Sequence, residues 1–285
     1  MPPPLPPQIT LDGMQDTYQT DYHVHTARCG HAGGSGRDYV LAALSRGLSE
    51  MAFTDHIPLY FLPGEDPDPG IAMTRAEMSG YVEEVRALQE EFAGRIDVLL
   101  GLEADYAEGH EAALEEILSA HDWDVVLGSV HWVKGGWIDA PGSAQRHDVE
   151  GSGTLWREYY RLLAKAAATG LFDVITHFDL PKKFGHRIPP NAADAEAAAI
   201  AAARAAGVAI EVSSAGLRKT VQEEYPAPQL LRKLVDAGIP IVFSSDAHAP
   251  AEVGWGRAEI EAAARAAGAR EHFSFRKRKR RRHPL

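Results

Sequence analysis

The chain repeats one unit seven times: a short apolar run that ends on a polar side chain, followed by a longer connection. The runs are residues 20–24, 50–54, 96–102, 125–130, 173–176, 209–212 and 241–244. They are rich in Val, Ile and Leu, as strands buried on both faces are. Helical stretches lie between them. The stretch 74–92 opens on Thr74 with Glu77 three residues on, a capping box. The stretches 154–169, 191–206 and 227–237 stop at Gly170, Gly207 and Gly238, where glycine takes the left-handed turn that ends a helix. Asn191 follows two prolines and suits the N-cap of the second. Such repeats build a parallel sheet with right-handed crossovers. Seven of them exceed the needs of a small open sheet and imply an α/β barrel, closed or nearly so.

In a barrel of this kind the chemistry sits on the loops that follow the strand C-termini. The seven runs lead into His25, His56, Glu103, His131, His177, Ser213 and Asp246. Seven of the thirteen histidines gather at or just after such ends: His23, His25, His31, His56, His131, His177 and His248. His23 and His25 are spaced i, i+2, which puts both rings on one face of a strand. Asp246 and His248 repeat that spacing at another strand end. Either pair alone reads equally well as polar residues satisfied at a sheet edge. Together on one barrel face they read as a polynuclear metal site. Asp55 beside His56 is placed to orient an imidazole. Glu103 ends an apolar run, where a lone buried carboxylate is costly; a position between two cations removes that cost. Cys29, the one cysteine, reads as an idle thiol.

Composition bounds the rest. The chain of 285 residues divides into a flexible proline-rich leader (1–19), one barrel domain (20–275) and a basic C-terminal tail (276–285). A single cysteine excludes a disulfide framework or a Cys-rich zinc module. The leader lacks the parts of a signal peptide, and no apolar run reaches the ~20 residues of a membrane span. A cytoplasmic protein without membrane contact is expected. Net charge of −11 argues against a broad nucleic-acid surface. Residues 276–282 are the exception, seven cations in a row, read as a solvated tail or as a weak contact for an anion, RNA or a second subunit. The stretches 132–153 and 58–71 have no periodicity and read as lids; Trp137, Asp139 and His147 are candidates to line a pocket.

The segments DYHVHT, FTDH, GLEADY, GSVHW, THFDLPKKFG, EVSSAGLRK and SSDAHAP resemble, in order, those of the polymerase and histidinol phosphatase (PHP) superfamily, and among its branches the histidinol-phosphate phosphatases. The resemblance covers about residues 20–275. It implies a distorted (β/α)7 TIM-like barrel and three divalent metal ions (Zn, Mn, Fe or Co). It implies that His23, His25, Glu103 and Asp246 hold the first ion. Glu103 would bridge to a second ion, held also by His131 and His177. His31, His56 and His248 would hold the third. Glu103, Asp246 and His248 are the candidates for direct catalytic duty. Lys182, Lys183 and Arg218 are the candidates for substrate phosphate; Arg218 is able to take two oxygens at once.

The resemblance implies a metal-dependent phosphomonoesterase that hydrolyses L-histidinol phosphate to L-histidinol and phosphate in histidine biosynthesis. No Ser, Cys or Asp stands out as a phosphorylated nucleophile, so direct attack by a metal-bridging hydroxide is expected. A phosphoesterase for nucleotides or oligonucleotides is the alternative, disfavoured because aromatic and basic residues do not interleave. A non-catalytic metal-stabilised module is the other, disfavoured by the full ligand set. A small phosphomonoester is the expected partner, and oligomeric state is not legible.

Overall fold

The computed structural model describes residues 18–64, 67 and 70–285. Most of the expected leader therefore lies outside the described residues. Of its last two residues, the Tyr18 hydroxyl donates to Glu50 (3.1 Å) and Gln19 donates its amide to Ser49 (3.3 Å).

Seven strands line up side by side, each parallel to the next: β1 (Thr20–Val24), β2 (Glu50–Phe53), β3 (Asp97–Asp105), β4 (Val125–Ser129), β5 (Val174–Ile175), β6 (Ala209–Ser213) and β7 (Ile241–Ser244). The ends meet just beyond β7. Ala247 donates its amide to the His23 carbonyl (3.0 Å) and accepts from the His25 amide (2.9 Å). The buried Asp21 carboxylate strengthens this seam, accepting from the amides of Ser245 (2.9 Å) and Gly254 (2.7 Å). The result is the nearly closed seven-stranded barrel expected from the repeats.

Helices α1 (Gly36–Ser45), α2 (Met78–Glu91), α3 (Glu111–Ser119), α4 (Ser152–Ala168), α5 (Ala193–Ala206), α6 (Pro228–Asp236) and α7 (Arg257–Ala266) occupy the connections. The Thr74–Glu77 box forms, but it caps a 3-10 turn (Arg75–Glu77) that leads into α2. Asn191 does not cap α5. It lies inside a 3-10 turn (Pro190–Ala192), and its carbonyl accepts from Arg157 (2.5 Å).

Period-2 alternation carries each strand from an apolar floor to a polar rim. One buried cluster takes Ala52, Leu99, Val125, Val174, Ala209 and Val242 from successive strands. Two and four residues on from these floor positions stand Glu103, Glu211, Ser244 and Asp246. Gly101 sits between Leu99 and Glu103 because a Cβ there would lie 2.8 Å from the Val125 side chain. The floor is closed by Phe275, worth ~2 kcal/mol in burial.

Phe275 belongs to a hairpin of β8 (Glu271–Arg276) and β9 (Lys279–Pro284). The basic run is thus not a loose tail but the last residue of β8, the turn and most of β9. Lys277 and Arg278 hold positive φ of 49° and 61°, as a two-residue hairpin turn requires. Body acids pin it: Arg276 to Asp97 (3.0 Å) and Arg278 to Asp173 (3.0 Å).

Candidate metal centre

Every one of the nine expected ligands reaches the same end of the barrel. Glu103 is the hub and is 1% exposed. Its Oε2 lies 3.1 Å from His23 Nε2, 3.4 Å from His25 Nε2 and 3.0 Å from His56 Nδ1. Its Oε1 faces His177 Nε2 at 3.1 Å and His131 Nε2 at 3.8 Å. The two oxygens of one carboxylate thus serve two different groups of imidazoles. Asp246 Oδ1 stands 3.3 Å from His25 Nε2 and 3.7 Å from His23 Nε2. His31 and His248 complete the rim, with Nε2 atoms 2.9 Å apart. His56 stands between groups: it shares a donor set with His25 and His248 while touching Glu103.

The backbone is bent to make this possible. His177 and Asp246 hold φ of 20° and 50°, a conformation costing non-glycine residues ~1–3 kcal/mol and concentrated at functional sites.

The electrostatics suit cations. Burial pushes the Glu103 and Asp246 carboxyls up, but the surrounding imidazoles outweigh it and hold both well below the carboxylate range. Burial opposes a charged His23, yet Glu103, Glu211 and Asp246 hold its pKa well above the imidazole range. Burial and neighbouring imidazoles drive His25 well below it. Buried nitrogens of His23 (Nε2) and His25 (Nδ1 and Nε2) have no hydrogen-bond partner among the described residues. Converging imidazole nitrogens, unpartnered and set around two ionised carboxylates, fit divalent cations of the Zn, Mn, Fe or Co kind.

The expected substrate residues divide. Lys183 lines the cavity of about 260 Å³ over the centre, with Asp139, Lys219 and Tyr225. Lys182 does not: its ammonium is 2% exposed and is spent on Asp179 (2.9 Å) and the Glu224 carbonyl (2.5 Å). Arg218 is turned aside as well. Its Nη2 donates to the Ser245 (2.8 Å) and Asp246 (3.1 Å) carbonyls, and Nε lies 3.4 Å from Glu252. It fastens the loop that carries Asp246, and its neighbour Lys219 faces the cavity instead. Trp137 joins Leu59, Ile71 and Pro141 in an adjoining cavity of about 410 Å³, so both aperiodic stretches do border the site. His147 does not. It is buried and stacked on His186, ring centroids 4.0 Å apart. Among the described residues Asp55 makes no hydrogen bond to an imidazole; it accepts from the Thr26 amide (2.7 Å).

A PHP domain model matches residues 21–215. The chain belongs to the PHP domain family. It is 44% identical over 262 residues to a probable histidinol-phosphatase of Deinococcus radiodurans, covering 91% of this chain and 97% of that one. It is 27% identical to the histidinol-phosphatase of Bacillus subtilis, over 82% of this chain and 95% of the other. Its fold superposes on a crystal structure of histidinol phosphate phosphatase from Lactococcus lactis, complexed with zinc, L-histidinol and phosphate. The TM-score is 0.76 at 19% identity, with 93% and 99% of the two chains covered.

Two carboxylates of this PHP chain escaped the sequence reading. Glu211 accepts from His23 Nδ1 (2.6 Å), the His177 amide (2.7 Å) and the Ser244 hydroxyl (2.6 Å). Asp105 accepts from the His131 amide (3.0 Å) and sits 2.9 Å from its Nδ1. Against burial, it and Glu103 raise His131 to about 10. Both fix the orientation and tautomer of a candidate ligand ring. The signal for Asp105 was the i, i+2 spacing from Glu103; for Glu211 it was a lone acid inside an apolar strand. Glu211→Gln is expected to weaken metal binding ~10–100-fold. Titration against a chelating dye checks this, and unchanged affinity removes Glu211 from the centre's support.

Proposed function

We propose that this PHP enzyme hydrolyses L-histidinol phosphate to L-histidinol and phosphate, and that it does so with three divalent cations. The 44% identity to the Deinococcus relative along nearly the whole chain, joined to the convergence of eight candidate ligands on Glu103, carries the reading. His23, His25, Glu103 and Asp246 would hold one ion. Glu103, His131 and His177 would hold the second, and His31, His56 and His248 the third. Cations bound there supply Lewis acidity and an acidified water.

The chain's own residues do the remaining work. Lys183 and Lys219 border the cavity as donors to phosphoryl oxygens. The Tyr225 hydroxyl is buried and lacks a partner among the described residues, and burial raises its pKa further above the phenol range. It stays protonated and is a neutral donor at the same wall. Arg218 acts on Asp246 through the backbone, which puts its contribution in metal retention and not in phosphate binding. The apolar side of the adjoining cavity suits the carbon skeleton of the leaving alcohol.

The substrate is tested by kcat/KM for L-histidinol phosphate against a simple aryl phosphate. A preference of ~10² or more for the former is expected if the adjoining cavity binds the leaving group. Equal values would leave a phosphatase and overturn the histidinol assignment.

A further inference from the structure

Lys183 and Asp139 form an ion pair across the mouth of the site. Lys183 Nζ donates to Asp139 Oδ2 (2.9 Å) and to the Asp139 carbonyl (2.8 Å). Each comes from a different loop. Asp139 follows the ribbon of Trp132–Val133 and Gly136–Trp137, and Lys183 rides the 3-10 turn Leu180–Phe184. Both line the cavity over the metal centre and also the adjoining one. Both side chains keep roughly a quarter of their surface open, 22% for Lys183 and 24% for Asp139. A pair with most of its surface covered is costly to break unless both charges find new partners. Two opposite charges are therefore held at the boundary between the metal centre and an apolar chamber.

We infer that substrate opens this pair and takes its place: Lys183 turns to the phosphoryl oxygens, and Asp139 receives a protonated amine on the leaving alcohol. The inference rests on the proposed phosphatase reading and deepens it by making Asp139 the residue that selects esters carrying an amine. An ester with phosphate alone would pull Lys183 away and strand the Asp139 carboxylate without a partner. An ester with both charges satisfies both halves. A site built around a buried charge rejects the analogue lacking the matching group more strongly than it rejects a change in apolar size. The apolar walls at Leu59, Ile71 and Trp137 then receive the ring, and Asp139 reads the amine at their edge.

The test compares L-histidinol phosphate with the phosphate ester of 3-(imidazol-4-yl)propan-1-ol, the same skeleton without the amine. The metal-loaded wild type is expected to favour the amine ester by ~10² in kcat/KM. In Asp139→Asn that ratio should fall at least ~10-fold, mostly through KM for the amine ester, with metal content retained. Asp139→Glu should recover part of the ratio. If Asp139→Asn slows both esters by the same factor, or the wild type does not distinguish them, the exchange is wrong while the phosphatase reading stands. A wild type inactive on L-histidinol phosphate overturns the parent reading and this inference with it.

Discussion

Glu103→Gln is expected to lower turnover on a phosphate monoester by ~10³ or more, the scale of a lost preorganised charge at a reacting centre. The substitution keeps shape and removes one negative charge. That charge stands between two imidazole groups, with Oε2 3.0–3.4 Å from three rings and Oε1 3.1 Å from a fourth. A glutamine would also aim an N–H at nitrogens that must stay free lone-pair donors. Turnover and elemental analysis are read on the same sample. Near-normal turnover in a fully metallated variant would refute the bridging role of Glu103.

Removing metal is expected to lower the melting temperature by ~10 °C or more. The rings of His25, His56 and His248 crowd together, with centroids 4.4–4.5 Å apart around His25. The unpartnered buried nitrogens of His23 and His25 each carry a penalty of ~1–3 kcal/mol. A ligand that binds only the folded state stabilises it by ~4 kcal/mol at a thousandfold excess over Kd. In a domain of a few hundred residues each kcal/mol is worth ~2–4 °C. Calorimetry before and after chelation, and again after adding zinc or manganese, measures the difference. A melting temperature indifferent to chelator would contradict metal binding at the barrel end.

The convergence of the candidate ligands on one barrel end was legible because strand periodicity and residue chemistry speak together. The spacing of His23 and His25 states a shared face, and a histidine at a strand end has few structural duties. The barrel was legible because each unit repeats the same apolar run. What failed was the identity of groups whose role depends on a rotamer. Lys182, Lys183, Arg218 and Lys219 are all cations in post-strand segments. Only the fold decides that Lys182 turns inward to Asp179, that Arg218 turns to the Ser245 and Asp246 carbonyls, and that Lys183 and Lys219 face the cavity. The basic run misled for a related reason. Its charges hid a strand whose partner, β8, supplies the aromatics Phe273 and Phe275. Asn191 had the residue type of a cap, but Pro189 caps and Pro190 opens a 3-10 turn three residues before the helix begins at Ala193.

Metal-dependent hydrolysis of L-histidinol phosphate at the nine candidate ligands joins the fold, the site and the proposed substrate. Phosphate release from that ester, with the metal content of the same protein determined in parallel, tests it most directly. Close to three divalent ions per chain, rapid release of phosphate, loss of both on chelation and return of both with zinc or manganese are expected. Release that persists in metal-free protein, or none from protein carrying three ions, would contradict that expectation.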